Sequence, residues 1–203
     1  MTKVCQYYFA PHSPWSYLGH ERFVAMARRH GAQIDLRPLD LGKVFGQSGG
    51  LPLAKRAPQR QAYRLTELAR WAEFLDLPLN LQPKFFPVSP DLAARLIIAT
   101  RLALGVDTAL QLSGAIMRGL WAEEKNIGDE ETLAQIANGL GLEGRMLLKS
   151  VETASVQAEY DRNTDDASAA SVFGAPWYVY QGESFWGQDR LDFLERALAR
   201  QAV

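Results

Sequence analysis

Residues 9–19, FAPHSPWSYLG, read as the end of a β-strand, a tight turn and the start of an α-helix. Ser13 can cap the helix, and Pro14 suits its first position, where a missing N–H costs nothing. Ser13 and Ser16 also stand at the spacing of a redox-active Cys-x-x-Cys pair. The stretch therefore predicts a redox-type turn from which both sulfur atoms have been removed.

The segments on either side of this turn predict a β-α-β unit. Residues 4–9 are rich in β-forming side chains, and the helix is expected to end near His30, with Gly31 in the left-handed conformation. Residues 33–39 then alternate apolar and polar side chains, which is typical of a second strand.

The middle of the chain predicts helices. Residues 43–57 contain several Gly and Pro residues and read as a loop. Apolar side chains then recur at helical spacing, with prolines or small polar residues at several starts. The predicted helices lie between Pro58 and Pro78 and over residues 91–104, 108–121, 130–139, 143–151 and 155–170.

Strand patterns return near the end of the chain. Residues 176–180 and 183–186 predict two strands, and Gln181 and Gly182 form a tight turn between them. Residues 187–200 have the apolar spacing of a closing amphipathic helix. The complete outline is β-α-β, a helical block, then β-β-α, which is an α/β chain.

The composition excludes several classes of protein. Among 203 residues the net charge is -1, with no basic run, so we expect neither nucleic acid nor an anionic membrane as a partner. No apolar run is long enough to span a bilayer, and the N-terminus lacks the pattern of a signal peptide. A single cysteine, Cys5, excludes an intrachain disulfide and suits a cytoplasmic protein.

Two glycine-rich segments match known catalytic or phosphate-binding motifs, but the residues around them do not fit those motifs. Residues 46–50 fit the hydrolase pattern G-x-S-x-G, but no helix start follows Ser48 and all three histidines precede it. Residues 139–144 fit G-x-G-x-x-G but follow a predicted helix instead of a strand, so we interpret them as a turn.

The histidines do not form a metal-binding set, and we predict no metal. His20 and His30 are expected on the first helix near its surface. His12 is either a solvated loop residue or a residue that reaches a site at the adjacent turn. Cys5 is expected to be a small buried hydrophobe in the first strand.

Four motifs resemble those of the 2-hydroxychromene-2-carboxylate isomerases and kappa-class glutathione transferases, the isomerases most closely. They are FAPHSPWSYLG, ELARWAEFLDLPL, VFGAPWYVY and FWGQDRLDFLE, in the family's order along nearly the whole chain. The resemblance implies the disulfide-oxidoreductase type of thioredoxin-like fold. Residues 1–41 and 156–203 would form the thioredoxin-like domain, and residues 42–155 a large all-helical insertion domain.

The resemblance also implies a glutathione site. Ser13 would be the catalytic residue and donate its hydroxyl to the glutathione sulfur, while Ala175, before a cis Pro176, would pair its backbone with the tripeptide. Gln188 and Asp189 would hold the γ-glutamyl end, and Arg60 would reach a ligand carboxylate.

The surrounding substrate pocket is predicted from three other residues. Trp15 and Trp177 are candidates for its walls, and Lys43 is a second candidate, beside Arg60, for the substrate carboxylate.

The resemblance implies glutathione as cofactor and an isomerase of aromatic catabolism, as in naphthalene degradation. The expected substrate is 2-hydroxychromene-2-carboxylate or a related unsaturated aromatic keto acid, and we expect a homodimer. Two alternatives stay open: a kappa-like glutathione transferase or peroxidase, and a non-catalytic glutathione-binding protein with the same fold.

Overall fold

The computed structural model describes residues 2–200 and begins with the β-α-β unit that the sequence predicts. Strand β1 (Val4–Phe9) leads into helix α1 (Pro14–Arg29), and strand β2 (Gln33–Pro38) follows. Gly31, with a φ of 62°, lies just beyond the end of α1. Its left-handed backbone lets the chain leave the helix and turn back toward the sheet.

Helices fill the middle of the chain, as predicted. They are α2 (Leu41–Ser48), α3 (Pro58–Leu75), α4 (Asp91–Leu104), α5 (Val106–Ala122), α6 (Glu130–Gly139), α7 (Gly144–Leu148) and α8 (Ala154–Ala169), with a short 3₁₀ helix at Leu53–Lys55.

Helix α2 corrects the prediction that residues 43–57 form a loop throughout. Asp40 precedes the helix, and its carboxylate accepts hydrogen bonds from the N–H groups of Gly42 and Lys43 at 2.9 and 3.1 Å. Gly49 ends it in the left-handed conformation, with a φ of 75°. The two ends are therefore capped, which stabilises a helix of only eight residues despite its glycines.

The chain returns to the sheet as predicted. Strands β3 (Trp177–Tyr180) and β4 (Glu183–Trp186) form a hairpin, and helix α9 (Leu191–Ala199) closes the described chain. The predicted closing helix over residues 187–200 begins later than predicted. Gly187, with a φ of 90°, lies outside it, and Gln188–Arg190 form a separate 3₁₀ turn before α9.

The four strands form one mixed sheet in the order β2-β1-β3-β4. Strand β1 pairs with β2 in parallel and with β3 in antiparallel, and β3 pairs with β4 in antiparallel. This arrangement is the thioredoxin-like α/β fold with helices inserted between β2 and β3.

The sheet separates two apolar layers because neighbouring side chains of a strand point to opposite faces. From β1, Cys5, Tyr7 and Phe9 join the larger core cluster, while Tyr8 belongs to the smaller one. The larger cluster includes buried residues of α1, α4, α5 and α9. The smaller cluster includes residues of α2 and α8.

The larger cluster also crosses the proposed boundary between the two domains. Tyr7 and Phe23 of the thioredoxin-like part and Ile97 and Leu120 of the insertion belong to it. The division into residues 1–41 with 156–203 and residues 42–155 stays a prediction about domains. The shared core leads us to treat both parts as one folding unit.

Candidate functional site

Ser13 holds the end of the turn between β1 and α1. Its hydroxyl accepts a hydrogen bond from the Ser16 N–H at 3.2 Å, which confirms it as the N-cap of α1. The same hydroxyl donates to the carbonyl of Ala175 at 3.3 Å. Ser13 is 6% exposed. The predicted catalytic hydroxyl therefore lies at a helix N-terminus, where anions are favoured, and against the loop before β3.

The loop before β3 contains the cis Ala175–Pro176 bond that the sequence motif predicts. The carbonyl of Pro176 accepts a hydrogen bond from the Gly187 N–H at 2.9 Å. The segments around residues 13, 175 and 187 are thus brought together at one end of the sheet. Three of the four motif regions meet there.

Gln188 lies inside this region, and its side chain is already hydrogen-bonded within the protein. It is 1% exposed, and its side-chain oxygen accepts a hydrogen bond from Arg22 at 2.8 Å. Gly19 of α1 permits this close approach, since a Cβ at that position would lie 2.7 Å from the Gln188 Cβ. Any contact of Gln188 with a ligand would therefore come most readily from its main chain. Its glutathione-binding role stays a prediction.

Asp189 and Arg60 are both exposed. Asp189 forms an ion pair with its neighbour Arg190. Arg60 lies in the first turn of α3, and no carboxylate within residues 2–200 pairs with it. Both charges are accessible to a ligand. The role of Asp189 at the γ-glutamyl end and that of Arg60 with a ligand carboxylate stay predictions.

The three predicted substrate-pocket residues have different surroundings. Trp15 is half-buried against the larger core cluster, whereas Trp177 is 6% exposed within the smaller cluster. Lys43 lies on α2, and its ammonium is 3.4 Å from the Asp161 carboxylate in an exposed ion pair. Its charge is thus shared with Asp161, and the substrate role of all three stays a prediction.

His12 corrects one of the two interpretations drawn from the sequence, because its ring is not a solvated loop side chain. Its Nδ1 atom is buried and has no hydrogen-bond partner among residues 2–200. Burial lowers the pKa of His12 to about 4, although the nearby charges of Asp91 and Asp40 act in the opposite direction. At neutral pH a neutral imidazole therefore lies directly beside Ser13 in the chain.

His20 corrects a second expectation, since it is 1% exposed instead of near the surface. Its Nδ1 lies 3.3 Å from the Tyr7 hydroxyl, and its Nε2 lies 3.0 Å from the Leu110 carbonyl. Helix α1 is packed between the sheet and α5, so a residue on either side of it is covered. The sequence predicts α1, but it does not indicate that α5 packs against it.

Cys5 is buried, as predicted, and does not offer a reactive thiol. Burial, with a smaller contribution from Asp35, raises the pKa of Cys5 to about 12. Between residues 2 and 200 no three His, Cys, Asp or Glu side chains are placed to hold a metal ion. Over the same range no helix is both long enough and apolar enough to cross a membrane.

The fold and the Ser13 turn define a class of protein, and comparison with known proteins shows the same class. The model of the DsbA-like thioredoxin domain matches residues 5–199, so the chain belongs to that family. Within it the chain groups with the 2-hydroxychromene-2-carboxylate isomerases, as its four motifs predict, and then with the kappa-class glutathione transferases.

Two relatives and one solved structure carry this assignment. A 2-hydroxychromene-2-carboxylate isomerase of Sphingobium xenophagum is 32% identical over 98% of this chain and 99% of its own length. Glutathione S-transferase kappa 1 of Caenorhabditis elegans is 27% identical over 93% of this chain and 87% of its own. The structure of a 2-hydroxychromene-2-carboxylate isomerase superposes with a TM-score of 0.82, at 26% identity, covering 97% of this chain and 95% of that one.

Proposed function

We propose that this chain is a glutathione-dependent isomerase acting on 2-hydroxychromene-2-carboxylate or a related unsaturated aromatic keto acid. The observation that supports this most is the capping hydroxyl of Ser13, held at the N-terminus of α1 and against the Ala175 carbonyl. Relatives named as isomerases of this substrate match almost the entire chain.

The residues around Ser13 suit an extended thiol peptide. The Ala175 carbonyl is a hydrogen-bond acceptor for a peptide N–H, and the Ser13 hydroxyl that now donates to it can turn to a sulfur atom instead. By the family resemblance, Arg60 would offer a cation to a ligand carboxylate, and Asp189 an anion to the γ-glutamyl ammonium. Binding of glutathione would therefore break one hydrogen bond within the protein and form several between the protein and glutathione.

When bound, glutathione would supply a thiolate that adds to the double bond of the unsaturated keto acid, and the π electrons would move to the keto oxygen. The former double bond would then be single and could rotate, and expulsion of the thiolate would restore it. The chain's part is to hold that sulfur as an anion. The helix N-terminus and the Ser13 hydroxyl both favour negative charge at this position, and lowering a thiol pKa by one unit corresponds to about 1.4 kcal/mol.

A spectroscopic isomerase assay tests the proposal. We expect isomerisation that requires glutathione but does not consume it. Ser13→Ala should lower kcat roughly 10- to 100-fold at saturating glutathione, because one to two units of thiol pKa are lost, with a smaller effect on glutathione affinity.

Asp129→Ala is the matched control for the lost helix cap. Asp129 caps α6, and its carboxylate accepts from the Thr132 N–H at 2.8 Å. Both variants should lose a similar stability of about 1 kcal/mol, but only Ser13→Ala should lose turnover. Equal kcat in Ser13→Ala and the wild-type protein would leave Ser13 as a helix cap alone.

The kappa-class relatives support a second candidate, a glutathione transferase or peroxidase that uses the same site. Glutathione would then be consumed in proportion to product. Binding of glutathione with no turnover of any electrophile would favour a non-catalytic binding protein. The aromatic catabolic pathway, the homodimer and the cytoplasmic location stay predictions.

A further inference from the structure

Arg64 is a half-buried cation without a polar partner. It lies on α3, and its side chain takes part in none of the hydrogen bonds or ion pairs found within residues 2–200. A guanidinium carries five N–H donors, and a buried charge is normally paired. Burial and the nearby charge of Arg56 lower the pKa of Arg64 to about 10, so it is still a cation at neutral pH.

Aromatic rings surround this cation. The Arg64 guanidinium carbon lies 5.4 Å from the centre of the Phe86 ring and 5.7 Å from that of Trp121. The two rings are themselves 5.0 Å apart. Trp121 is fully buried, yet its indole N–H has no acceptor in the described part of the chain. A half-buried cation therefore lies beside two aromatic rings, of which Phe86 is partly exposed and Trp121 is buried.

The surroundings are positive as well as aromatic. Arg60 and Arg64 are one helical turn apart on the same face of α3, and Arg56 lies near enough to lower the pKa of Arg64. None of these three arginines pairs with a carboxylate within the described residues. By contrast, Arg70 of the same helix forms an ion pair with Glu67 at 2.7 Å.

We propose that Arg64 and Phe86, packed against the buried Trp121 ring, form a binding site for the carboxylate of a planar aromatic acid. The guanidinium fork matches a carboxylate with two parallel hydrogen bonds, and the ring of the acid would pack on the exposed part of Phe86. This assigns to Arg64 a role that is separate from the predicted role of Arg60 with glutathione.

The position of the site relates it to the Ser13 turn. Phe86 begins a short segment that ends at Asp91, and the charge of Asp91 acts on His12, beside Ser13. Arg64 and Ser13 thus lie near the two ends of one segment. If the proposed function is correct, the acid that binds at Arg64 is the keto-acid substrate of the isomerase. The carboxylate site at Arg64 does not itself depend on that function.

Calorimetric titration with trans-cinnamate tests the site, and its uncharged amide, cinnamamide, is the matched ligand control. We expect the wild-type protein to bind cinnamate and Arg64→Met to bind it at least about tenfold more weakly, as expected for loss of a charge-assisted pair. Arg70→Met, on the same helix, should bind cinnamate like the wild type. Cinnamamide should bind weakly to all three proteins.

Two further measurements distinguish the loss of a carboxylate contact from damage to the fold. Arg64→Met should melt close to the wild-type temperature, since removal of a half-buried charge offsets the loss of its contacts with the two rings and the aliphatic chain is kept. Its affinity for glutathione should not change. If Arg64→Met does not fold, Arg64→Lys replaces it, and weaker cinnamate binding is again expected, because lysine lacks the planar fork.

Equal cinnamate affinity in the wild type and the Arg64 variant would overturn the inference. So would no binding of millimolar cinnamate to the wild type, or inorganic phosphate competing as strongly as cinnamate. Failure of every protein to bind glutathione, with cinnamate binding intact, would overturn the proposed function and leave this site in place.

Discussion

At the scale of single residues, the Ser13 turn contains more polar atoms than its own hydrogen bonds use. Ser13 accepts from Ser16 and donates to Ala175. The Ser16 hydroxyl and the His12 Nδ1 atom are buried beside it, and neither finds a hydrogen-bond partner in the range that the structure describes. Unpaired buried polar atoms are costly in a purely structural turn, so their concentration here is consistent with a ligand site.

The His12 ring predicts a dependence of stability on pH. A histidine has a pKa of about 6.5 in the unfolded chain, whereas burial lowers the pKa of His12 to about 4 in the fold. Between these values the unfolded chain binds more protons, so stability should be full above about pH 6.5 and fall as the pH decreases toward 4.

Denaturant unfolding at a series of pH values measures this effect. We expect His12→Asn, which cannot titrate but keeps a polar atom, to have a smaller slope of unfolding free energy over this range. A remaining slope is expected from His20, whose pKa burial also lowers. Identical slopes for His12→Asn and wild type would contradict the assigned environment of His12.

At the scale of elements, the parts that could be predicted are those whose signals are local. The cap at Ser13, Pro14 at the start of α1 and the alternation in β2 each act within a few residues, and all three agree with the structure. Helix α2 could not be predicted because its glycines resemble a loop, and its stability depends on the Asp40 cap. The burial of His20 and Arg64 depends on helices that are distant in sequence.

The Asp40 cap gives a prediction for α2. Asp40→Ala should lower the free energy of unfolding by about 1 kcal/mol, because two N–H groups of the first turn lose their acceptor. Asp40→Asn keeps an acceptor oxygen and should lose less. Chemical denaturation of the three proteins measures both differences, and equal stability of Asp40→Ala and wild type would argue against the cap.

At the scale of the whole molecule, the helical insertion and the sheet contribute to one core. Residues of β1, α1, α4 and α5 belong to the same buried cluster. The insertion and the thioredoxin-like part therefore bury apolar side chains of each other in this shared core. We expect the protein to unfold in a single transition rather than one domain at a time.

Leu68 tests this expectation because it is the fully buried residue of α3. Leu68→Ala should lower the free energy of unfolding by roughly 2–5 kcal/mol. Phe74→Ala, at a site of the same helix that is 76% exposed, should have little effect. Tryptophan fluorescence and far-ultraviolet circular dichroism should report the same shifted midpoint, and two separated transitions would contradict a shared core.

The central claim is that glutathione binds with its sulfur at Ser13 and that the site lowers the pKa of its thiol. The most direct measurement is a pH titration of the thiolate ultraviolet absorbance of glutathione bound to the wild-type protein and to Ser13→Ala. We predict a wild-type thiol pKa roughly one to two units below that of free thiol, and a Ser13→Ala value closer to the free one. A bound thiol that titrates like free glutathione, or no binding of glutathione at all, would contradict the claim.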